Sequence, residues 1–286
     1  MDQRIIDLYD EYAHAPLDRR VFLDRLAGLA GGTAAAALLL PLLERRAQAA
    51  VVAPDDARVS AAMVTYPGAT GDVKGYLAKP ATGGKAGTVV VIHENRGLNA
   101  HIEDVARRVA IGGFVALAPD LLSPAGGTPD NEDQARDLIG KLDPVSTVKN
   151  VVAAVAWLRT LPEGNGKVGA VGFCWGGGMV NQLAVNDPTL DAGVAYYGAQ
   201  PDAAAAARIK APLLLHYGAL DDRIDAGIPA YKAALEKAGV SYKIYMYEGA
   251  NHAFNNDTSP ARYNPEAAKL AWDRTLAFFT EKLKSA

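Results

Sequence analysis

The stretch "GKVGAVGFCWGGG" (166–178) joins two patterns end to end. From Val168 its first half is an unbroken run of small and apolar residues, the reading of a strand buried on both faces. Its second half crowds glycines around a helix start. Between them stands Cys174, the single cysteine of the 286-residue chain. A strand that runs straight into a helix belongs to an open α/β sheet, where ligands bind beyond the carboxyl ends of the strands. Gly172-Phe-Cys-Trp-Gly176 has the spacing of a nucleophile elbow, a turn so tight that a side chain two residues either side of the nucleophile would collide with the backbone. The following helix start places partial positive charge beside the sulfur, which favours thiolate.

The same alternation extends outward. "VSAAMVTYP" and "VKGYLAKP" read as two strands around a Gly-Asp turn at 71–72, an opening hairpin. "GTVVVIHE" (87–94) is a second fully buried strand, followed by a helix near 100–111 and the strand of "GFVALAPDLL". "VSTVKNVVAAVAWLRTL" (145–161) has helical spacing, and "AGVAYYG", "APLLLHYG" and "SYKIYMYEG" continue as strands before a last helix at about 264–284. Several β-α units in series predict a mostly parallel central sheet with helices on both faces, in one domain over 50–286. The polar stretch "SPAGGTPDNEDQAR" (123–136) is the longest interruption and reads as an excursion near the active face.

Two further groups fall at strand ends. "ALDDRID" puts Asp221 and Asp222 after one predicted strand, and "ANHAF" puts His252 after the next. Nucleophile, acid, base is the chain order of an α/β-hydrolase triad. Asp221 is preferred over Asp222 because the loop first turns away from the strand there. His252 then serves as general base and acid, and the aspartate fixes its tautomer. His216 reads as packed inside its strand; His93 ends another strand, and His101 begins a helix. No HExxH or paired-histidine spacing appears, and one cysteine excludes an internal disulfide, so neither a metal nor a cofactor is expected.

The first 49 residues differ from the rest. Arg19 and Arg20 precede an apolar stretch from Leu26 to Leu43 and then "AQA", the order of a charged region, an apolar region and a small-x-small cleavage site. The pair followed by "VFL" resembles a twin-arginine export signal, a route for folded proteins. It predicts export through that machinery, cleavage near Ala49 and a periplasmic protein. A membrane anchor retained at the N-terminus, or an amphipathic helix packed on the domain, is the alternative, and His14 falls within this segment. With 29 basic against 32 acidic side chains, nothing points to nucleic acid as a partner.

"HENRGLN" (93–99), "PDLL" (119–122), "GFCWGG" (172–177), "GALDD" (218–222) and "NHAF" (251–254) together resemble the dienelactone hydrolase family, over nearly all of 60–284. The resemblance implies an α/β-hydrolase fold, a cysteine nucleophile at Cys174, the acid at Asp221 and the base at His252. It also implies that Glu94 pairs with the thiol at rest, and that the backbone N–H groups of Trp175 and Arg96 form the oxyanion hole. Family members that open dienelactone hold its carboxylate with arginines after the "PDL" strand and after the histidine. Here those regions read "PDLLSPAGG" and "NHAFNNDTSP", so only Arg223 or Arg262 is left to reach inward. Tyr196, Tyr197, Trp175 and Phe254 fall near strand ends, where an apolar pocket would lie. The reading is a hydrolase of small carboxylic esters or lactones. The same triad acting on an amide or organophosphate ester, or a non-catalytic binding protein of the same fold, are the alternatives.

Overall fold

A computed structural model describes residues 1–14, 17–44 and 50–284. Helices α1 (Gln3–His14), α2 (Arg19–Ala30) and α3 (Thr33–Glu44) come first. The domain proper then runs β1 (Val59–Gly68), β2 (Gly71–Pro80), β3 (Ala86–Ile92), α4 (Ala100–Ile111), β4 (Val115–Pro119), α5 (Glu132–Ile139) and α6 (Pro144–Thr160). It continues through β5 (Gly164–Phe173), α7 (Trp175–Asn186), β6 (Ala192–Tyr196), β7 (Leu213–Gly218), α8 (Asp222–Asp225), α9 (Ile228–Ala238), β8 (Tyr242–Tyr247) and α10 (Pro265–Leu283).

The eight strands form one sheet in the order β1-β2-β4-β3-β5-β6-β7-β8. The β1–β2 and β2–β4 pairs are antiparallel, and every other pair is parallel. The runs read as buried, in β3 and β5, occupy the middle of the sheet, and Val89–Ile92 is wholly buried. Helices α6, α7 and α9 cover one face through Val151, Leu158, Val180, Leu183 and Leu235. Helices α4 and α10 cover the other through Ile102, Val105, Ala271 and Phe279. Each face needs its own helices because a parallel sheet is apolar on both sides.

The opening hairpin forms, but its turn falls at Ala69-Thr70, two residues before the expected Gly71-Asp72. Register pairs Gly68 with Gly71, and Asn150 Oδ1 on α6 accepts the backbone N–H groups of both Ala69 and Thr70. A tertiary hydrogen bond thus fixes the turn where local turn chemistry pointed elsewhere. The 123–136 excursion forms a short 3₁₀ turn and then α5. Its return is tied down by Asp120, which accepts from the backbone N–H (2.9 Å) and hydroxyl (2.7 Å) of Thr128.

The segment read as an export signal folds into helices. Asp18 caps α2 by accepting from Arg20 N, and α2 ends at Gly31 with φ +83°. Together α1–α3 build a small core of Ile5, Leu8, Tyr12, Phe22, Leu26 and Leu43, with Tyr12 and Phe22 stacked at 4.3 Å. Among the described residues no single helix is long and apolar enough to cross a membrane, and α2 and α3 bend 111° from one another. Arg45, Arg46 and the cleavage site at Ala49 lie outside the described residues.

Candidate active site

Cys174 sits between β5 and α7 with φ +56° and ψ −117°, a backbone state that non-glycine residues rarely occupy. Two contacts enforce it. The Cys174 N–H donates to the Tyr196 carbonyl at 3.0 Å. A Cβ on Gly172 would meet the Gly176 carbonyl oxygen at 2.1 Å, and one on Gly176 would meet the Ile92 and His93 carbonyl oxygens at 2.4 Å. The glycines two residues either side are therefore required by backbone against backbone, as the elbow spacing predicts.

Strand β7 ends at Gly218, and Asp221 follows where the chain turns into α8. Its side chain does two things: Oδ1 accepts from Ile224 N, capping α8, and Oδ2 lies 2.5 Å from His252 Nδ1. Asp222 is exposed. His252 enters from the loop after β8, beside Ala253 at φ +62°. Its Nε2 is buried and makes no hydrogen bond among the described residues. The Tyr197 ring packs 4.9 Å from the imidazole and keeps it from turning. Because β6, β7 and β8 are neighbouring parallel strands, their ends deliver Tyr197, Asp221 and His252 to one edge of the sheet.

His14, which falls in the segment read as an export signal, is the thiol's hydrogen-bond partner. Its Nε2 lies 3.0 Å from Cys174 Sγ, and its ring is 4.5 Å from that of His252. His14 Nδ1 is held by Asp10 of the same helix, through the main-chain oxygen at 2.8 Å and the carboxylate at 3.1 Å. Burial opposes a charge on this imidazole, yet Cys174 and Asp10 outweigh the adverse burial and His252 contributions, raising its pKa. Arg223 and Arg262 do reach inward, and both clasp Asp10, each at 3.2 Å. Asn95 Nδ2 donates to the Ala13 carbonyl at 2.6 Å, and the Arg136 guanidinium lies 4.9 Å over the Tyr12 ring. A helix packed on the domain is one of the readings the sequence leaves open, but nothing in it pairs His14 with Cys174, 160 residues apart.

Glu94 is not bonded to the thiol. Its Oε2 accepts from Asn256 Nδ2 at 2.6 Å, and its Oε1 is buried with no hydrogen bond among the described residues. The expected resting pair is corrected accordingly: Cys174's hydrogen bond goes to His14. Asn256 stands where an arginine was sought and spends its amide on Glu94. The Arg96 side chain turns to Glu132 at 3.4 Å. Arg96 shares a small cavity of about 60 Å³ with Cys174, Glu94 and Arg262. A larger one of about 1070 Å³ is lined by Tyr12, His14, Arg136, Cys174, Trp175 and Tyr197. Of the aromatic residues expected at a pocket, Trp175 and Tyr197 line it, whereas Tyr196 and Phe254 are core. His216 is packed as expected, bonded to Tyr247 OH at 2.9 Å, and His93 stacks on Trp175.

Residues 73–283 match the model of the dienelactone hydrolase family. The chain belongs to the dienelactone hydrolase family. A relative from Synechocystis that carries the name carboxymethylenebutenolidase is 34% identical over 79% of this chain and 98% of its own length. A structure from Klebsiella pneumoniae described as a dienelactone hydrolase is 30% identical, with TM-score 0.70 over 78% of this chain and 99% of that one. The dienelactone hydrolase-like promiscuous phosphotriesterase P91, from metagenomic libraries, is 27% identical with TM-score 0.71 over 79% of this chain and all of that one. Residues 1–31 match a separate model described as YqhI-like. The protein is thus a dienelactone hydrolase-like hydrolase, and the α1–α2 segment lies outside the part that defines that family.

Proposed function

We propose that the protein hydrolyses carboxylic esters or lactones through a cysteinyl acyl-enzyme, with Cys174 as nucleophile, His252 as general base and acid, and Asp221 as the group that orients His252. His252 Nε2 takes the thiol proton as Sγ attacks the carbonyl carbon, and returns it to the departing alkoxide oxygen. Water then attacks the thioester, giving its proton to Nε2. The carbon–sulfur bond breaks, and the thiolate recovers that proton. The backbone N–H groups of Trp175 and Arg96 hold the oxyanion in both steps. Glu94 modulates the thiol when His14 is away from it, because a carboxylate beside a thiol disfavours thiolate.

The observation that carries this reading is the 2.5 Å contact of Asp221 with His252 Nδ1, which leaves Nε2 buried and without a hydrogen bond among the described residues, on an imidazole with a ring nitrogen within 4.8 Å of Cys174 Sγ. Short-chain aryl esters and lactones, assayed with the wild-type chain and with Cys174→Ala, test it. Turnover is expected only in the wild type, and equal rates in both would end the cysteine mechanism. Likeness to a phosphotriesterase supports a second reading, in which the same thiolate attacks the phosphorus of an aryl phosphotriester. Including such an ester in the assay separates the two.

Export by the twin-arginine route, with 50–286 as the mature periplasmic domain, is part of the same proposal and rests on the pattern around Arg19 and Arg20. N-terminal sequencing of protein recovered from the periplasm is expected to begin at Ala50. Recovery of Met1 from the cytoplasm alone would refute export.

A further inference from the structure

We propose that His14, Cys174 and His252 form a binding site for a thiophilic transition-metal ion such as zinc, which locks the nucleophile while α1 is docked. One ligand atom from each residue lies within 4.8 Å of the other two, close enough for a single ion to touch all three. The donor set of two imidazoles and a thiolate suits zinc or cuprous ion rather than magnesium or calcium, which take oxygen ligands.

A second, independent feature points to a ligand. His252 Nε2 is buried, its residue 3% exposed, and makes no hydrogen bond among the described residues. Both imidazoles also carry the support that metal-ligating histidines ordinarily have, a carboxylate on the other ring nitrogen. Asp221 holds His252 Nδ1 at 2.5 Å, and Asp10 holds His14 Nδ1 at 3.1 Å. Asp10 is itself anchored by Arg223 and Arg262. Each ring is thereby fixed with Nε2 as the nitrogen left for an ion. Binding forms one metal–sulfur and two metal–nitrogen bonds and releases the thiol proton to solvent. The bound sulfur gives electron density to the ion and loses nucleophilicity, the His252 nitrogen that would take a proton is occupied, and a solvent molecule completes a tetrahedral ion. Residue 14 comes from outside the hydrolase domain, so the site lasts only while α1 stays attached.

The reduced, chelator-treated full chain, titrated with cobalt(II), tests this without any substrate. One equivalent is expected to raise a near-ultraviolet thiolate-to-cobalt charge-transfer band that zinc then bleaches. Cys174→Ala abolishes the band, and His14→Gln weakens cobalt binding by at least tenfold. Asp10→Asn, which leaves all three ligands in place, weakens it by about 10–100-fold. Circular dichroism melts of the variants separate lost binding from lost folding. No band in the wild type, or undiminished affinity in folded His14→Gln, would overturn the site. Neither result bears on the hydrolase reading, which is read by turnover in metal-free buffer.

Discussion

Two imidazoles face Cys174, each backed by an aspartate, and they reach it by different routes. His252 and Asp221 ride on the ends of the adjacent strands β8 and β7, so the register of the sheet sets their separation. His14 and Asp10 are one turn apart on a single helix, and only the docking of α1 brings them to the thiol. The first pair is built by the fold that buries the core. The second depends on polar ties, chiefly Asp10 to two arginines, Asn95 to Ala13 and Arg136 to Tyr12. On the proposed reading, chemistry falls to the strand-borne pair and control of access to the helix-borne one.

Five substitutions would break or sharpen that contrast. In metal-free buffer, His252→Gln is expected to lower kcat for an aryl ester by about 10³-fold or more. His14→Gln is expected to cost at least a hundredfold less, and equal losses would erase the distinction. Gly172→Ala forces a Cβ to 2.1 Å from the Gly176 carbonyl oxygen, so its chemical unfolding should show a loss of about 3 kcal/mol. The pH dependence of stability tests the sheet region separately. His216 is buried beside Arg274, and its pKa is depressed to about 3. The unfolded chain, with a histidine near 6.5, therefore binds more protons between those values, and stability falls as pH drops through that window. His216→Gln should flatten this slope by up to about 1.4 kcal/mol per pH unit, measured by melts from pH 7 to 4. Gly28 lies inside α2 with open space where a Cβ would point, so Gly28→Ala is expected to stabilise α1–α3 by up to about 1 kcal/mol. Slower proteolysis of that segment would report it.

What the sequence disclosed follows the same divide. The buried runs at β3 and β5, the elbow at Cys174 and the strand-end positions of Asp221 and His252 were legible because periodicity and chain order carry them. The hairpin turn was misplaced by two residues because Asn150, distant in sequence, holds it at Ala69-Thr70. Arg223 and Arg262 read as able to reach inward, but their partner Asp10 lies in the segment read as an export signal. Charge followed by an apolar stretch describes such a signal and an amphipathic helical cap equally well, and composition does not separate them. Glu94 on the thiol is what the family resemblance implies, and α1, which brings His14 there instead, lies outside the part of the chain that resembles the family.

The most direct test of Cys174 as the acylated nucleophile is intact-protein mass spectrometry of the full chain, acid-quenched within one turnover of an activated aryl ester. The account predicts a mass increase of one acyl group, mapped to the peptide bearing Cys174 and absent from Cys174→Ala. Turnover with the acyl group on another residue, or carried undiminished by Cys174→Ala, would contradict it.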